Sequence, residues 1–216
     1  MTTEQNPLDA VYTEGAVTDA AELYDNWAEE YEADLRAVGY AAAERCARAL
    51  ASADPTLSCP ILDLGCGTGL SGEALQGVGF KEIDGYDFSE GMLALARKKD
   101  CYRELFRVDL AQPDSIPDRG YRHAVLAGVL HHTHAPPETL TQTLARLPQK
   151  GCIVFSLNDE TLRFPQYTDY ISHLVESGQT AVVSEEYGPH LPGRDVGARV
   201  YAVSYTHLTL PTTPYV

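Results

Sequence analysis

Three glycines at alternate positions mark the segment best suited to bind a ligand. Residues 61–75 read ILDLGCGTGLSGEAL, an apolar run followed by Gly65, Gly67 and Gly69 and then by a helix-like stretch. Glycines in such a turn let the backbone approach a ligand closely and direct free N–H groups at its anionic part. Counted from Gly65 the spacing is GxGxG, with Leu70 where the GxGxxG of dinucleotide-binding folds has its third glycine, and no GK[ST] follows as in a P-loop. The loop predicts a nucleotide-like ligand of another class.

An aspartate ends the next strand-like run, IDGYD. Asp87 lies 22 residues after Gly65, where Rossmann-type folds use an acid to accept both ribose hydroxyls. Its alternative role is to cap the following helix, because Ser89 is close by. The position and the residue type together favour a ribose contact.

The pattern of the whole chain predicts the elements that hold these residues. A length of 216 residues favours one domain with its own core. Beyond residue 60, short β-rich runs alternate with helical ones, as in a parallel sheet with crossover helices. The predicted strands are Ile61–Leu64, Ile83–Asp87, Arg103–Val108, Ala124–Val129, Cys152–Leu157, Thr180–Glu186 and Ala198–Val203. The fold class is therefore α/β: a Rossmann-like doubly wound, mostly parallel seven-stranded sheet with an antiparallel edge hairpin and an N-terminal helical lid.

Helical patterns precede and separate the strands. They cover Asp19–Leu35, Tyr40–Ala53, Leu70–Val78, Ser89–Lys99, Pro137–Leu147 and Tyr167–Ser177. We divide the chain into a flexible N-terminus at 1–18, a folded domain at 19–203, with a helical lid at 19–54 and a core at 60–203, and a tail at 204–216. The tail is Thr- and Pro-rich and resembles a translated sequencing adapter, so we expect it to be non-native or disordered and the natural C-terminus to be missing.

Charge and composition restrict the partners. The formal charge is −15, and such a field repels nucleic acid and anionic membranes. The five cysteines are odd in number and form no CxxC pair, which argues against a disulfide framework or a zinc site. With no signal peptide or apolar run of membrane-spanning length, we predict a cytoplasmic protein.

Four segments together resemble one family. ILDLGCGTG, IDGYDFS, RVDLAQP and LHHTHAPPE are similar, in this order, to the motifs of class I S-adenosylmethionine-dependent methyltransferases. The resemblance covers most of residues 20–160, and YDNWAEEY is similar to the YDxWAxxY stretch ahead of the first motif in many small-molecule methyltransferases. In this lid stretch, in HTHAPPETL and in overall length, the chain resembles the methyltransferase-like family of the Williams–Beuren syndrome region and its bacterial relatives.

The resemblance implies S-adenosyl-L-methionine as cofactor and a set of residues around it. Asp63 would position the methionine end of the cofactor; alternatively, and compatibly, it would accept hydrogen bonds from the N–H groups of the glycine loop. Asp87 would bind the ribose. Asp109 would accept from the adenine amine, with a turn-forming role as its alternative. The full predicted set is Tyr24, Trp27, Tyr31, Asp63, Gly65, Cys66, Gly67, Gly69, Asp87, Phe88, Met92, Asp109, Leu110, Gly128 and Val129. The three aromatic residues of the lid could equally form only its buried face.

Histidines follow the fourth strand at the point where the strand order reverses. The resemblance places His131 and His132 near the transferable methyl, with His132 as a general base or substrate contact, or else as packing for the cofactor pocket. His131, His132 and His134 also suggest a metal site, but they lack a fixed spacing and a thiolate neighbour, so we expect no metal.

Methyl transfer to a small-molecule acceptor is the predicted function. No long insertion follows residue 157 to recognise a macromolecule, and we expect a monomer or homodimer. Two alternatives remain: a protein that binds S-adenosylmethionine without methylating and acts through a partner, and, less favoured, a nicotinamide-dependent oxidoreductase. The latter would require a third glycine at position 70, for a GxGxxG counted from Gly65, and a catalytic Tyr-x-x-x-Lys; the sequence has neither.

Overall fold

A seven-stranded sheet forms the centre of the computed structural model, which describes residues 7–11, 20–109, 116–117, 119–132 and 135–206. The strands are β1 Ile61–Leu64, β2 Ile83–Asp87, β3 Glu104–Arg107, β4 His123–Leu126, β5 Cys152–Asn158, β6 Thr180–Leu191 and β7 Val196–Tyr205. Their order is β3-β2-β1-β4-β5-β7-β6. The first five are parallel, whereas β7 runs antiparallel to both β5 and β6. The predicted fold class is confirmed.

Helices cover both faces of the sheet. They are α1 Pro7–Val11, α2 Ala20–Ala37, α3 Ala42–Ala53, α4 Leu70–Gly77, α5 Glu90–Ala96, α6 Thr139–Leu144 and α7 Pro165–Glu176. Because two helical layers bury them, β1, β2 and β4 are buried along their whole length. No helix in the described part of the chain is long and apolar enough to cross a membrane.

The order of the strands creates a crevice above β1 and β4. Strand β1 pairs in parallel with β2 on one side and with β4 on the other. The connections from these two strands therefore leave in opposite directions at their carboxyl ends, where open α/β sheets bind ligands. The glycine loop follows β1 and the histidine segment follows β4, so both meet at this crevice.

The edge hairpin is longer than the sequence indicated. We predicted a loop at YGPHLPGRDVG, but β6 continues to Leu191. Its pairing with β7 ends with Leu191 opposite Val196. The prolines and glycines suggested a loop, yet Pro189 lies on an edge strand, where its missing N–H costs no ladder bond. The buried guanidinium of Arg45 on α3 stabilises this end of the hairpin by donating to the carbonyls of Glu186, Pro189 and Ala198.

Both predicted terminal segments differ from the structure in part. Residues 7–11 belong to the N-terminus predicted to be flexible, but they form α1 and bury Leu8 against Trp27 and Leu35. Strand β7 ends at Tyr205 rather than at Val203, because the N–H of Tyr205 donates to the carbonyl of Gly151 at 2.8 Å. The rest of the predicted tail, from residue 207, lies outside the described residues.

Candidate functional site

The glycine loop takes a backbone shape that only glycine adopts easily. Gly65 has φ +73°, and a β-carbon there would lie 2.4 Å from Cγ2 of Val129, so the loop packs directly on the segment after β4. Gly67 has φ +54°, and a β-carbon there would meet nothing within 4 Å. The loop is therefore closed on the side of Val129 and open at Gly67.

Asp87 at the end of β2 holds this loop in place. Its Oδ2 accepts from the N–H of Gly67 and its Oδ1 from the N–H of Ser89, both at 2.9 Å. Burial raises the pKa of Asp87 to about 6, although these hydrogen bonds act in the opposite direction. A carboxylate has about four lone-pair sites, more than these backbone hydrogen bonds use, so the capping and ribose-binding roles are compatible.

Asp63 on β1 is fully buried and only half satisfied. Its Oδ2 accepts from the hydroxyls of Ser71 and Tyr102, both at 2.6 Å. Its Oδ1 has no hydrogen-bond partner among the described residues. Burial, reinforced by the nearby charge of Asp87, raises the pKa of Asp63 to about 6. An unpaired acceptor beside a second carboxylate is suited to a cation or a strong donor.

Helix α2 covers the crevice and is anchored at two points. Oδ1 of Asp25 accepts from the Ser89 hydroxyl at 2.5 Å and from the N–H of Gly91 at 2.9 Å, so the lid supplies a carboxylate to the N-terminus of α5. Farther along α2, Glu32 lies 2.8 Å from Nζ of Lys99. The helix is thereby fixed against α5 and the residues that follow it.

The cleft between the glycine loop and α2 has a volume of about 470 Å³. It is lined by Tyr24, Tyr31, Gly65, Gly67, Asp87, Phe88, Met92, Ala127, Gly128 and Val129. Tyr24 packs edge-to-face on Phe88 with ring centroids 5.7 Å apart. Apart from Ala127, every residue in this lining belongs to the predicted cofactor-binding set, so the structure brings most of that set together.

The remaining predicted cofactor residues lie elsewhere. Asp63 and Cys66 are buried and do not line the cleft, and Gly69 is the N-cap residue of α4. Asp109 is exposed, two residues after the end of β3, and is also outside the lining. Leu110 lies outside the described residues.

A second compartment of about 480 Å³ adjoins the cleft. It is lined by Leu8, Val11, Tyr24, Trp27, Tyr31, Leu35, Tyr40, Gly128, His131, Asn158 and His190. Tyr24, Tyr31 and Gly128 line both spaces, so they form the boundary between them. Trp27 therefore faces this second space rather than the cleft where the sequence placed it.

The two predicted catalytic histidines occupy different positions. His131 lines the second compartment, and its Nε2 lies 3.3 Å from Oε2 of Glu160; burial lowers the pKa of His131 against the opposing effect of this carboxylate. His132 packs on both His131 and Phe164 with tilted rings, at centroid distances of 4.2 and 4.6 Å, and lines neither space. Ligand atoms of the two histidines and Glu160 lie within 4.8 Å of one another, a proximity that the sequence did not indicate.

The sequence analysis missed six residues of the second compartment, of which three carry polar groups: Tyr40, Asn158 and His190. Tyr40 follows α2, Asn158 ends β5, and His190 lies on the part of β6 that we predicted to be loop. Burial lowers the pKa of His190 to about 4, so its imidazole is neutral at pH 7. Only the pairing of the hairpin brings His190 to Tyr40, with ring centroids 5.4 Å apart.

A glycine loop after β1, an acid at the end of β2 and a cleft at the reversal of strand order define a class I S-adenosylmethionine-dependent methyltransferase fold. A family model described as a methyltransferase domain matches residues 31–189, and the chain belongs to this family. The resemblance inferred from the sequence is confirmed.

Similar proteins include a curated human protein and solved bacterial structures. Methyltransferase-like protein 27 of Homo sapiens is 29% identical over 148 residues, which cover 67% of this chain and 60% of the human protein. A putative S-adenosylmethionine-dependent methyltransferase from Listeria monocytogenes aligns with a TM-score of 0.55 at 18% identity, over 74% of this chain and 97% of that one. The 1,6-didemethyltoxoflavin-N1-methyltransferase of Burkholderia thailandensis aligns with a TM-score of 0.59 at 18% identity, over 87% and 89%. At these identities the structural matches show the shared fold.

Proposed function

We propose that this protein transfers the methyl group of S-adenosylmethionine to a small-molecule acceptor. The observation that carries the proposal is the pair of adjoining spaces: a cleft formed by the glycine loop and Asp87, and a second compartment that shares Tyr24, Tyr31 and Gly128 with it. One space would hold the cofactor and the other the acceptor, with the reacting atoms meeting at the shared boundary.

The residues of the cleft fit the cofactor in chemistry and in shape. Asp87 offers its remaining lone pairs to a ribose diol, and the open side of Gly67 leaves room for the ligand. The unpaired Oδ1 of Asp63 lies before the loop and suits the ammonium of the methionine end, directly or through a water molecule. Phe88 and Met92 provide apolar contact for the adenine ring.

The cofactor supplies a methyl group activated on a sulfonium, which a nucleophile takes by in-line displacement. The protein's part is to align the acceptor and to keep water out, and α2 does both by covering the two spaces. His131 faces the acceptor compartment and is the histidine placed to contact an acceptor, whereas His132 supports it from behind. We therefore assign the substrate contact to His131.

A small-molecule acceptor suits the second compartment, because this space lies beneath the lid and is lined by residues of α1, α2, β5 and β6. The formal charge of −15 further disfavours a nucleic-acid acceptor.

Transfer of labelled methyl groups tests the proposal. The protein would be incubated with methyl-labelled S-adenosylmethionine and cell extract, and the products separated by size. We expect label in the small-molecule fraction with the wild type and with Asp169→Ala, an exposed control on α7, and at least tenfold less with Asp87→Ala. Cofactor binding without any labelled product would instead favour a protein that acts through a partner, and label in protein or nucleic acid alone would contradict the small acceptor.

A further inference from the structure

Three side chains that can ligate a metal converge where β4 and β5 end. His131 and His132 follow β4, and Glu160 follows β5, which pairs with β4 in parallel. Carboxyl ends of parallel strands meet at the same edge of a sheet, so the two segments come together. One nitrogen of each imidazole and a carboxylate oxygen of Glu160 lie within 4.8 Å of one another. We name these three residues the His–Glu cluster.

The backbone around the His–Glu cluster is held by hydrogen bonds. The Thr161 hydroxyl donates to the carbonyl of Leu130 at 3.1 Å, which joins the turn after β5 to the residue before His131. His131 and Ala135 exchange two backbone hydrogen bonds, of 3.3 and 3.0 Å. The protein itself therefore holds the two segments of the cluster together.

His132 is buried with neither of its ring nitrogens satisfied. Nδ1 and Nε2 of this imidazole are both inaccessible to solvent and have no hydrogen-bond partner among the residues that the structure describes. A polar group that leaves water without gaining a new partner costs free energy, so such groups are few in folded proteins. A bound ion or water molecule is a common explanation for them.

Glu160 has a buried oxygen in the same condition. Its Oε2 lies 3.3 Å from Nε2 of His131, yet it accepts no hydrogen bond from the described part of the chain. Two ligands of a tetrahedral zinc ion lie about 3.4 Å apart, because each is about 2.1 Å from the metal. The separation of this nitrogen and this oxygen therefore suits two ligands of one ion.

A cation would satisfy the His–Glu cluster more fully than a water molecule would. An ionised carboxylate can only accept, and each neutral imidazole has one nitrogen that can only accept. A water molecule has two hydrogens and so can donate to at most two of the three ligand atoms. A divalent cation accepts a lone pair from all three and also supplies the opposite charge that a buried carboxylate requires.

A second group of similar composition has its polar atoms satisfied. Asp54, Cys59 and His123 also place ligand atoms within 4.8 Å of one another. However, Nε2 of His123 lies 2.8 Å from Oδ2 of Asp54, and its Nδ1 accepts from the N–H of Cys152 at 2.9 Å. Both nitrogens of that imidazole are used within the protein, so it has no lone pair left for a metal. The comparison favours the His–Glu cluster as the metal site.

The ligand types select a transition-metal ion. Imidazole suits zinc, copper, iron and nickel, whereas Mg²⁺ and Ca²⁺ prefer oxygen ligands. Two histidines and one glutamate hold zinc in several enzymes and leave one coordination position open. The same ligands bind Fe²⁺ more weakly than Zn²⁺, as the order of affinities along the first transition row requires.

We propose that the His–Glu cluster binds a zinc ion through its two imidazoles and Oε2 of Glu160. The sequence argued against a metal because the histidines lack a fixed spacing, but the acid that completes the site comes from another strand. His134, the third histidine of the segment, lies outside the described residues. The inference goes beyond the proposed function and does not depend on it.

The other contacts of His131 are compatible with this role. His131 makes a further contact besides the one with Glu160, and a zinc-bound histidine usually has such a partner at its other ring nitrogen. His131 also lines the second compartment, so the ion would border the space assigned to the acceptor.

Calorimetric titration of the full chain with Zn²⁺ tests the site, after treatment with a chelator and removal of that chelator. We expect the wild type to bind Zn²⁺ at least a hundredfold more tightly than Mg²⁺. Co²⁺, used as a spectroscopic probe, should give the intense visible absorption of a four-coordinate site. No Zn²⁺ binding by the folded wild type, or equal affinity for Mg²⁺, would overturn the proposal.

Two shape-conserving substitutions test the ligands. Glu160→Gln keeps the size of the side chain and removes its charge, and His132→Phe keeps a ring to pack on Phe164 and removes both nitrogens. We expect each to bind Zn²⁺ at least tenfold more weakly, whereas the exposed controls Glu29→Gln and His173→Phe should bind it as the wild type does. Undiminished zinc binding by Glu160→Gln and His132→Phe would place the ion elsewhere and overturn the proposal.

Thermal unfolding separates the loss of a ligand from a loss of folding. Without metal, His132→Phe should be at least as stable as the wild type, because it removes two unsatisfied buried nitrogens. Zn²⁺ should raise the melting temperature of the wild type and of His173→Phe, but not that of His132→Phe. An equal increase in all three proteins would contradict the role of His132.

The failure of this inference differs from the failure of the proposed function. Titration with S-adenosylhomocysteine reports on the cleft, whose lining includes none of the three residues. If S-adenosylhomocysteine binds and Zn²⁺ does not, the metal site is wrong while the cofactor assignment stands. If Zn²⁺ binds and S-adenosylhomocysteine does not, the proposed function fails and the metal site stands.

Discussion

The carboxylate of Asp87 accepts a hydrogen bond from the N–H of Gly67 at 2.9 Å, so the residue predicted to bind ribose also holds the glycine loop. The two functions depend on one side chain because a carboxylate has more lone pairs than either partner uses. Loop shape and cofactor affinity are therefore coupled in this protein.

Replacing Asp87 should weaken cofactor binding more than the loss of one surface contact would. We expect Asp87→Ala to cost about 1.5–3 kcal/mol of affinity for S-adenosylhomocysteine, the range for hydrogen bonds to a charged group. Calorimetry measures this, with Asp169→Ala as the exposed control. Unchanged affinity in a folded Asp87→Ala protein would show that the ribose lies elsewhere.

The two loop glycines should respond differently to a single added methyl group. Gly65→Ala places a β-carbon against Val129 at positive φ, so we expect it to lower the free energy of unfolding by about 2–5 kcal/mol. The added methyl group of Gly67→Ala meets open space, so we expect only the strain of its positive φ, which lowers the free energy of unfolding by about 1–2 kcal/mol. Cofactor affinity should nevertheless fall, because the methyl group projects toward the cleft. Thermal unfolding and calorimetry on both variants check this; equal stability losses would contradict the packing described for Gly65.

Cofactor affinity should increase with pH through about 6. Burial raises the pKa of Asp63 and Asp87 to about 6, and both must be ionised to bind an ammonium and to accept from a diol. With these pKa values, both carboxyl groups of the ligand-free protein are mostly protonated at pH 5 and mostly ionised at pH 7.5. Because the ligand binds the ionised form, protonation competes with binding at low pH. We expect affinity for S-adenosylhomocysteine to fall from pH 7.5 to 5 and Asp63→Asn to reduce this dependence. A profile that is flat across that interval in the wild type would contradict the account.

The anchor of the lid should control how long the cofactor stays bound. Asp25→Ala removes the acceptor for the Ser89 hydroxyl and the Gly91 N–H, a loss comparable to that of a helix cap, about 1 kcal/mol. We expect several-fold faster release of S-adenosylhomocysteine, followed by the emission of Trp27, the single tryptophan of the chain. Glu29→Ala, exposed on the same helix, should release it at the wild-type rate. Equal release rates for the two variants would show that Asp25 does not secure the lid.

The sequence predicted the parts of the site that depend on local pattern. Strands Ile61–Leu64 and Ile83–Asp87 have the predicted bounds because apolar runs end there at a glycine and at a helix cap. The parallel order then brings the loop and Asp87 together without further information, since carboxyl ends of parallel strands meet at one edge.

The acceptor compartment could not be predicted in the same way. His190 reaches Tyr40 only through the register of a hairpin whose prolines and glycines suggested a loop. Asn158 on the sheet and Trp27 on the lid line the same space, and no local sequence pattern indicates that they do. His132 was preferred over His131 from the motif alone, whereas packing on Phe164 decides which ring faces the compartment.

Calorimetric titration of the wild-type protein with S-adenosylhomocysteine tests the central claim most directly. We expect saturable binding of one ligand per chain, which Asp87→Ala weakens by at least tenfold and Asp169→Ala leaves unchanged. The absence of binding by the folded wild type would contradict the assignment of the cleft between the glycine loop and α2 as a cofactor site.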